Sequence, residues 1–376
     1  MLFMKLVIDC FKQVKGTGKS IGIYNVALSL IQNLVIEKQR TKNEEIKNCQ
    51  LIVLGNEYNR EDFDIDGVRF IQIENYNPLN KIQCVCWELW GVSRECKQVG
   101  ADKVLFPRGY CALTHPIEDI VLIHDLIPFY YHEHFPGVFN KLENAYIMYR
   151  LKESAKRANK IITISEASKL EILKYCNVEE QKITVIHNAC NAVDFCEEKV
   201  EQTSSYLCAM TSGLPHKNAK GVLAGYEEYF KNCNKPLDLV VIGIEDASKY
   251  GISDEVVKHI KCHKFLKDNH EMYRVINNSK MFLFLSLVEG FGLPPIEAMQ
   301  LGVPVICSNL SSLPEVVGDA AILVDPVDKT AVANAIMRLQ GDTKLQNSLI
   351  EKGKRNIERF SWNTRAELYW KEILRR

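Results

Sequence analysis

Short apolar runs recur along the whole chain, and longer stretches with helical periodicity separate them. The runs have the length of single strands and lie at residues 4–10, 50–54, 68–73, 103–106, 120–123, 160–164, 183–186, 206–210, 237–242, 261–266, 281–285, 303–307 and 321–324. Continuous apolar character is typical of strands that a parallel sheet buries on both faces. Helical patterns stand between several runs, among them about 21–35 and about 136–160. This alternation predicts an α/β fold with largely parallel sheets.

The succession of strands and helices begins a second time near the middle of the chain. Residues 190–204 are polar and acidic, which is typical of a linker between domains. A length of 376 residues also fits two domains better than one. We therefore expect two Rossmann-like domains, residues 1–195 and residues 200–359, followed by an amphipathic C-terminal helix within residues 360–376.

Composition excludes several classes of protein. The 47 basic and 47 acidic side chains balance, so no overall positive field favours nucleic acid. No apolar run approaches the roughly 18 residues that a membrane-spanning helix needs. The N-terminal MLFMKLVIDCF has a lysine inside its apolar stretch and no small-residue cleavage site, so it predicts a first strand rather than a signal peptide. The 13 cysteines are scattered, without a Cys-x-x-Cys pair, which favours a reducing, cytoplasmic location.

Residues 286–302 combine the end of a strand, a glycine loop and the start of a helix. Gly290 and Gly292 follow the apolar run, and two consecutive prolines, Pro294 and Pro295, come where the first helical turn tolerates proline. A helix N-terminus behind such a loop presents backbone N–H groups and a positive dipole end to an anion. The stretch therefore predicts an anion-binding turn.

Two glutamates accompany this turn. Glu289 lies in the loop and Glu297 in the first helical turns, so both can point into one crevice. A ligand that carries phosphate and also offers hydroxyl groups would use both features. The alternative is an ordinary strand-to-helix turn with two solvated glutamates.

A second glycine turn follows the first predicted strand. Gly16 and Gly18 stand before a helical pattern, but a P-loop requires glycine where Gln13 stands, and the spacing does not fit the Rossmann fingerprint. A flexible glycine turn that can approach a ligand closely is the interpretation that remains.

His124 and Asp125 end another predicted strand. They should lie at the carboxyl edge of the sheet, where open α/β sheets bind ligands. A histidine there can donate to a sugar hydroxyl or a carbonyl. The alternative is a histidine whose hydrogen bonds are satisfied by nearby backbone.

Three further features have competing interpretations. Asp62 to Asp66 contains two overlapping Asp-x-Asp pairs, which can hold a divalent metal, but Asp66-Gly67 favours a turn. His132-Glu133-His134 lies in what we expect to be an aromatic loop, with metal binding disfavoured. The helix near 148–160 has a basic face that could rest on an anionic membrane, although a solvated face is the more usual explanation. The basic side chains are Arg150, Lys152, Lys156, Arg157 and Lys160.

These stretches together resemble the retaining glycosyltransferases of family 4, which have the GT-B fold. The most specific match is the string Glu289-Gly-Phe-Gly-Leu-Pro-Pro-Ile-Glu297, which is similar to that family's pair of glutamates separated by seven residues. The supporting strings are Ile123-His124-Asp125-Leu-Ile-Pro128, Ile164-Ser165-Glu166, Val185-Ile-His-Asn188, Pro215-His216-Lys217-Asn218-Ala-Lys-Gly221 and Ser311-Ser-Leu-Pro314-Glu315-Val-Val-Gly318. The resemblance implies two Rossmann-like domains whose parallel sheets face a central cleft. It also implies an acceptor-side first domain, a donor-binding second domain, and a last helix that packs back on the first.

The resemblance implies a task for each part of the 286–302 stretch. Glu289 would meet hydroxyl groups of the donor sugar, and Glu297 would accept hydrogen bonds from both ribose hydroxyls. The loop that begins at Gly290 would contact the sugar and the diphosphate through the N–H groups of residues 291–293, which are Phe291, Gly292 and Leu293.

Other donor contacts follow from the same resemblance. Lys217 would neutralise the departing diphosphate. Ser212 and His216 stand where the family often has an arginine, so the positive charge at the phosphates is thinner, and a protonated His216 could supply some of it. Phe265 and Leu266 would lie near the nucleobase.

The first domain would complete the site. Gly16 and Gly18 would approach the phosphates, and His124 would reach the sugar. With Glu289 and Lys217, His124 is a candidate catalytic residue.

The implied activity is a retaining, metal-independent transfer of a hexose from a nucleotide sugar to a glycan or lipid-linked glycan in surface polysaccharide synthesis. GDP-mannose is the favoured donor, and no cofactor is expected. The protein would be cytoplasmic, with peripheral contact at the inner face of the membrane as an option. Two other functions stay open: a nucleotide-sugar epimerase of the same fold, and a non-catalytic subunit that binds a nucleotide sugar.

Overall fold

The computed structural model describes residues 4–15, 21–114, 117–193, 195 and 206–375. The chain divides into two compact units: unit 1 comprises Met1–Ala189 and Trp362–Arg376, and unit 2 comprises Cys190–Ser361. The predicted glycine turn at Gly16 and Gly18 lies outside the described residues, as does most of the predicted linker.

Every apolar run of the sequence contributes a strand. The strands of unit 1 are β1 Lys5–Asp9, β2 Gln50–Gly55, β3 Val68–Gln72, β4 Lys103–Phe106, β5 Glu118–Ile123, β6 Lys160–Thr163 and β7 Ile183–Val185. The strands of unit 2 are β8 Tyr206–Met210, β9 Asp238–Ile242, β10 Ile260–His263, β11 Phe282–Phe284, β12 Val305–Ser308 and β13 Ala321–Val324. The strand predictions are therefore confirmed, with shifts of a few residues at their ends.

Helices connect the strands. Those of unit 1 are α1 Ile21–Arg40, α2 Glu44–Lys47, α3 Arg60–Phe63, α4 Lys81–Cys86, α5 Val92–Val99, α6 Ile127–His134, α7 Lys141–Arg157 and α8 Glu166–Cys176. Those of unit 2 are α9 Ala219–Asn232, α10 Asp254–Val257, α11 Asn269–Asn277, α12 Leu293–Gln300, α13 Leu313–Val317, α14 Lys329–Gly341 and α15 Thr343–Ile357. The last helix of the chain, α16 Trp362–Leu374, belongs to unit 1. A π-helical turn, Trp87–Gly91, joins α4 to α5.

Both sheets are parallel, and the six strands of the second follow the same order as the first six strands of the first. In unit 1 the order is β3-β2-β1-β4-β5-β6-β7, and in unit 2 it is β10-β9-β8-β11-β12-β13. Val7 of the central strand β1 pairs with Ile52 on one side and Val104 on the other, and its side chain is fully buried. In each unit the first strand lies inside the sheet and the fourth lies beside it, which is the Rossmann-like order. The expected α/β class with two Rossmann-like, parallel-sheet units is confirmed.

The C-terminal helix α16 packs on α1, as the resemblance implies. The indole N–H of Trp370 donates to the carbonyl of Leu34 at 3.1 Å, and Trp370 is fully buried. Lys103 of β4 donates to the carbonyl of Ile373 at 2.7 Å, so the end of α16 is also fastened to the sheet of unit 1.

Two local predictions are wrong. The expected aromatic loop around residues 129–135 is the helix α6, because Pro128 fits its first turn and Phe129 and Tyr131 pack inward as buried side chains. The expected basic helix face is also interrupted. Arg150 is buried and ion-paired with Glu88, and Lys160 lies in β6, buried, with its ammonium 2.7 Å from Glu118.

In the part of the chain that the structure describes, none of the helices combines the length and the apolar character that a membrane span requires.

Candidate active site

Lys217 and Glu289 meet at the carboxyl edge of the sheet of unit 2. Lys217 ends a short 3-10 turn that follows β8, and Glu289 lies in the loop after β11. Because β8 and β11 are neighbouring parallel strands, the two loops lie side by side. Nζ of Lys217 is 2.6 Å from Oε1 of Glu289, and it also lies 5.8 Å from the ring centre of Phe284. The resemblance implied that both are candidate catalytic residues, and the structure brings them into direct contact.

Two serines from the next loop hold the backbone of Glu289. The hydroxyl of Ser311 donates to the carbonyl of Glu289 at 2.8 Å and accepts from its N–H at 3.3 Å. Ser312, fully buried, lies with its hydroxyl 3.0 Å from the same carbonyl and 2.8 Å from that of Phe291. Ser311 has a φ of +56°, a strained value for a residue other than glycine. The serines were part of a recognised string, but sequence reasoning gave them no role.

The backbone conformation of Gly292 determines how the loop leads into α12. Its φ is +106°, and a Cβ at this position would lie 2.5 Å from Cδ2 of Leu313, so only glycine fits. The helix begins at Leu293 with two prolines directly behind it, and proline has no N–H. The backbone N–H groups that the start of α12 can offer to a ligand are therefore those of residues 291–293. The side chain of Phe291 is buried against Phe360, so that this residue can meet a ligand only through its backbone.

The carboxyl group of Glu297, on α12, is hydrogen-bonded to the phenol of Tyr273 on α11. Burial raises the pKa of the Glu297 carboxyl to about 7, and the hydrogen bond with the Tyr273 phenol opposes that rise. A carboxyl that is half ionised near neutral pH can accept hydrogen bonds from ribose hydroxyls in its ionised form. Sequence reasoning missed Tyr273, because a tyrosine on a separate helix carries no pattern that connects it to Glu297.

The segment that carries Lys217 is fixed by Asn218. Asn218 has a φ of +58°, and its side-chain amide donates to the carbonyls of Leu285 at 2.9 Å and Pro326 at 2.8 Å. The hydroxyl of Thr211, at the end of β8, donates to the carbonyl of Lys217 at 2.6 Å. These bonds fix the backbone beneath the ammonium and leave the Lys217 side chain directed to Glu289.

His216 does not supply positive charge. It is buried, and this burial, with the charge of Lys217, lowers the pKa of its imidazole to about 4. The ring is therefore neutral near pH 7 in the absence of a ligand, which argues against the expected contribution of a protonated His216 to the phosphate contacts. Ser212 is partly buried at the end of β8, where its hydroxyl accepts from the N–H of Leu214 at 3.3 Å.

Phe265 and Leu266 follow β10 at the same edge of the sheet. Phe265 is largely exposed and Leu266 partly so. In the strand order, β10 and β11 are separated by two strands, so Phe265 stands about 14 Å along the edge from the loop of Glu289. Between them lies Gly243, whose φ is +108° and where a Cβ would come within 1.9 Å of the carbonyl oxygen of Thr211. At Gly243, therefore, this edge of the sheet is backbone without a side chain.

His124 lies at the end of β5 in unit 1. Its Nε2 is 2.8 Å from the carbonyl oxygen of Pro107, and burial lowers the pKa of the imidazole to about 4. In the neutral ring Nε2 is the donor to this carbonyl, which leaves Nδ1 as an acceptor. This bond to nearby backbone is the alternative that the sequence left open, and it occupies the single N–H of the neutral ring.

A network of buried charges at the carboxyl edge of unit 1 was not predicted. Glu88, on the π-helical turn, is ion-paired with Lys12 and with Arg150, whose Nε is 3.0 Å from Oε2. Burial raises the pKa of neighbouring Asp9 to about 6. A pattern of local sequence cannot show this network, because its members are far apart along the chain.

The Asp62 to Asp66 segment starts within α3 and ends in the predicted turn at Asp66-Gly67. Asp62 is 3.0 Å from the ammonium of Lys15 and accepts from the hydroxyl of Tyr24 at 2.6 Å, and Gly67 has a φ of +87° in the turn before β3. Over the described part of the chain, no group of three or more histidine, cysteine, aspartate or glutamate side chains is arranged to hold a metal ion.

Known proteins resemble this chain in sequence and in fold. An O-antigen chain mannosyltransferase of Salmonella typhimurium is 27% identical over 71% of this chain and 74% of its own length. O-antigen chain mannosyltransferase B of Escherichia coli is 29% identical over 66% of this chain and 68% of its own length. Sucrose-phosphate synthase from Thermosynechococcus elongatus superposes with a TM-score of 0.71 at 15% identity, covering 98% of this chain and 99% of its own, which confirms the GT-B fold that the resemblance implied.

The family models divide the chain in the same order as the two units. The model described as Glycosyltransferase Family 4 matches residues 46–193, and the model described as Glycosyl transferases group 1 matches residues 194–356. The candidate donor residues of unit 2 all lie within the second match. The two matches together run from residue 46 to residue 356, and the chain belongs to the family 4 glycosyltransferases.

Proposed function

We propose that this glycosyltransferase moves a mannosyl residue from GDP-mannose to a glycan or lipid-linked glycan during surface polysaccharide synthesis. The observation that carries the proposal is the contact between Lys217 and Glu289 beside the first N–H groups of α12. A cation, a helix start and a carboxylate at one sheet edge suit a ligand with a diphosphate and sugar hydroxyls. The O-antigen mannosyltransferases among its relatives support mannose as the sugar.

The donor lies along the carboxyl edge of unit 2. Its sugar meets Glu289, its diphosphate meets Lys217 and the N–H groups of residues 291–293, and its ribose meets Glu297. The base extends over the ends of β9 and β10 toward Phe265. Lys217 exchanges the carboxylate of Glu289 for a phosphate oxygen when the donor binds, since one ammonium can serve either anion.

The transfer step conserves the configuration at the anomeric carbon. The bond from this carbon to the phosphate oxygen breaks, and its electron pair stays with the nucleoside diphosphate. Lys217 and the N–H groups at the start of α12 stabilise that charge without a metal ion. The acceptor hydroxyl attacks from the face that the diphosphate leaves, and its proton passes to the departing phosphate oxygen.

Nucleotide binding is tested by thermal unfolding with GDP, UDP, dTDP and ADP. A ligand at 100 times its dissociation constant stabilises the fold by about 2.7 kcal/mol. We expect the largest shift with GDP, and a smaller shift for Lys217→Ala than for Lys220→Ala, whose lysine is exposed on α9. A larger shift with another nucleotide would reassign the donor, and no shift with any would contradict the proposal.

A further inference from the structure

Charged and phenolic side chains from separate segments meet at the carboxyl edge of the sheet of unit 1. Lys12 follows β1 and is ion-paired with Glu88, and Nε of Arg150 lies 3.0 Å from the other oxygen of the same carboxylate. Arg108 follows the neighbouring strand β4 and donates to the carbonyl of Lys12. The phenol of Tyr146 donates to Glu88 at 3.3 Å. We call these residues, with Tyr110, the edge cluster: Lys12, Glu88, Arg108, Tyr110, Tyr146 and Arg150.

A rare backbone turn carries the carboxylate that the edge cluster shares. Glu88 lies on the π-helical turn Trp87–Gly91. The indole N–H of the fully buried Trp87 lies 3.1 Å and 3.2 Å from the two carboxylate oxygens of Asp9 at the end of β1, so the turn is fastened to the edge of the sheet. π-Helical turns occur frequently at functional sites. The turn is therefore a first sign that Glu88 serves more than the fold.

Stability alone does not explain the buried charges of the edge cluster. Glu88 is 5% exposed and Arg150 is 1% exposed, and a buried ion pair is often no more stabilising than apolar side chains of similar volume. Within the described part of the chain, Nη1 of Arg150 and both polar atoms of the Gln13 side chain are buried without a hydrogen-bond partner. Such groups cost free energy, and in native structures they require an explanation, for example a role in a functional site.

The outer members of the edge cluster are accessible to a ligand. Tyr146 is 40% exposed and the side chain of Lys12 is 20% exposed, while Tyr110 is partly exposed. The ammonium of Lys12 carries three hydrogens and lies 5.1 Å from the centre of the Tyr110 ring. A ligand can therefore reach an ammonium, a phenol and an aromatic ring, while the buried Glu88 holds the first two in place.

We propose that the edge cluster binds the acceptor sugar, with Lys12 and Tyr146 in contact with its hydroxyl groups and with Glu88 and Arg150 as positioning residues. This inference rests on the proposed function, because sugar transfer needs a second substrate and the sheet edge assigned to the donor belongs to unit 2. The carboxyl edge of unit 1 is the corresponding place in a sheet of the same strand order, and open α/β sheets bind ligands there.

The charges of the edge cluster favour a neutral ligand with hydroxyl groups over an anion. The cations of Lys12, Arg108 and Arg150 lie near the carboxylates of Glu88 and Asp9, so little net positive charge is left for a phosphate. A sugar hydroxyl can accept from the ammonium and can donate to a carboxylate or phenol oxygen. Hydrogen bonds to charged groups are stronger than those between neutral groups. A few such groups beside an aromatic ring are typical of a site that orients a small ligand.

Sugar binding is tested by saturation-transfer NMR on the full chain without donor, using oligosaccharides that end in mannose, glucose, galactose or N-acetylglucosamine. Lys12→Met removes the ammonium but keeps the length of the side chain, and Tyr146→Phe removes only the phenol oxygen. Tyr149→Phe is the matched control, because it makes the same change three residues further along α7 at a side chain that is 54% exposed.

We expect the wild type to bind at least one of these sugars. Lys12→Met should weaken its binding by at least ~10-fold and Tyr146→Phe by about 3- to 10-fold, because hydrogen bonds to charged groups contribute more than those to neutral groups. Tyr149→Phe should change the affinity by less than about 2-fold.

Thermal unfolding with and without GDP separates this inference from the proposed donor. The increase in unfolding temperature that GDP causes should persist in Lys12→Met and Tyr146→Phe, since the edge cluster lies in unit 1. Glu88→Gln should likewise weaken sugar binding and keep the GDP effect, a separation that a general loss of stability would not produce. Sugar binding that depends on Lys12, without an effect of GDP, UDP, dTDP or ADP, would contradict the proposed donor and support the sugar site.

Three results would overturn the proposal. Failure of the wild type to bind any of the sugars, or equal binding by the wild type and the variants, would mean that the edge cluster does not hold the acceptor sugar. Loss of the GDP effect in Lys12→Met with unchanged sugar binding would assign the ammonium to the donor. Loss of both kinds of binding in Glu88→Gln would show that this carboxylate supports the fold rather than the position of Lys12.

Discussion

Nζ of Lys217 lies 2.6 Å from Oε1 of Glu289, so the cation and the carboxylate of the candidate donor site neutralise each other in the absence of donor. The side chains are partly buried, and the pair therefore holds both groups at the sheet edge in defined positions. A donor diphosphate competes with Glu289 for the ammonium, and the carboxylate that it releases is placed to accept sugar hydroxyls. The contact makes the roles of the two residues interdependent.

Removing the Lys217 ammonium should lower kcat by at least ~10-fold, because the charge of the leaving diphosphate loses its cation. Lys220→Ala is the matched control, since its lysine is only three residues away but exposed on α9. The measurement is the steady-state rate of transfer for Lys217→Ala, with thermal unfolding to confirm the fold. A folded Lys217→Ala variant with the wild-type kcat would show that Lys217 does not stabilise the leaving group.

Removing the hydroxyl of Ser312 should affect the sugar end of the donor more than the nucleotide end. Ser312→Ala leaves the Glu289 carbonyl with the bond from Ser311 alone, so the loop is held less firmly. We expect kcat to fall by about 3- to 30-fold while the dissociation constant of the nucleoside diphosphate stays within about 2-fold.

Ser312→Thr is the rescue variant, because it restores the hydroxyl. If Ser312→Ala weakens nucleoside diphosphate binding as much as it lowers kcat, the serine supports the whole unit rather than the position of Glu289.

Donor affinity should depend on pH through Glu297. The pKa of this carboxyl is raised from 4.5 to about 7 by burial, so it takes up a proton as the pH falls through 7. Only the carboxylate can accept from both ribose hydroxyls, and KM for the donor should therefore rise below pH 7 and level off above pH 8. Glu297→Gln should raise KM at pH 8 and remove most of this dependence. The same pH profile in the variant would mean that another group titrates.

The raised pKa of Glu297 should also make the free energy of unfolding depend on pH. Between pH 4.5 and about 7 the folded protein binds more protons at Glu297 than the unfolded chain does, so this group's contribution to the free energy of unfolding declines as the pH rises. At pH 8 the folded state bears the full cost of a poorly hydrated charge. Ligand-free Glu297→Gln should then unfold at a temperature no lower than the wild type at pH 8, as measured by circular dichroism. A clear fall would show that the carboxylate stabilises the free protein.

Transfer should continue in excess EDTA, since Lys217 and the start of α12 are proposed to carry the charge of the diphosphate. Rates with EDTA, and with added Mg²⁺ or Mn²⁺, measure this directly. Loss of activity that a divalent ion restores would contradict the proposal. It would favour a metal ion held by carboxylates such as Asp62.

The strands were predictable because parallel strands are buried on both faces and leave continuous apolar runs. The helix α6 was not, since its buried Phe129 and Tyr131 stand among polar and aromatic neighbours that give little helical periodicity. At the candidate site, Glu289 and Lys217 could be predicted, because each lies in a short sequence string that resembles the family's. The bonds from Ser311 and Ser312 could not, because they join loops from different strands. The sequence also could not show how deeply His216 and Glu297 are buried. Burial lowers the pKa of His216, so that its ring is neutral near pH 7, and raises the pKa of Glu297.

The proposed function is tested most directly by transfer from GDP-mannose to a mannose-terminated glycan acceptor, with the anomeric configuration of the product determined by NMR. We predict a new mannoside with the configuration of the donor, formed only when acceptor is present and reduced in Lys217→Ala and Glu289→Gln. An inverted product, isomerisation of the donor without acceptor, or no turnover with any nucleotide sugar although the nucleoside diphosphate binds would contradict it.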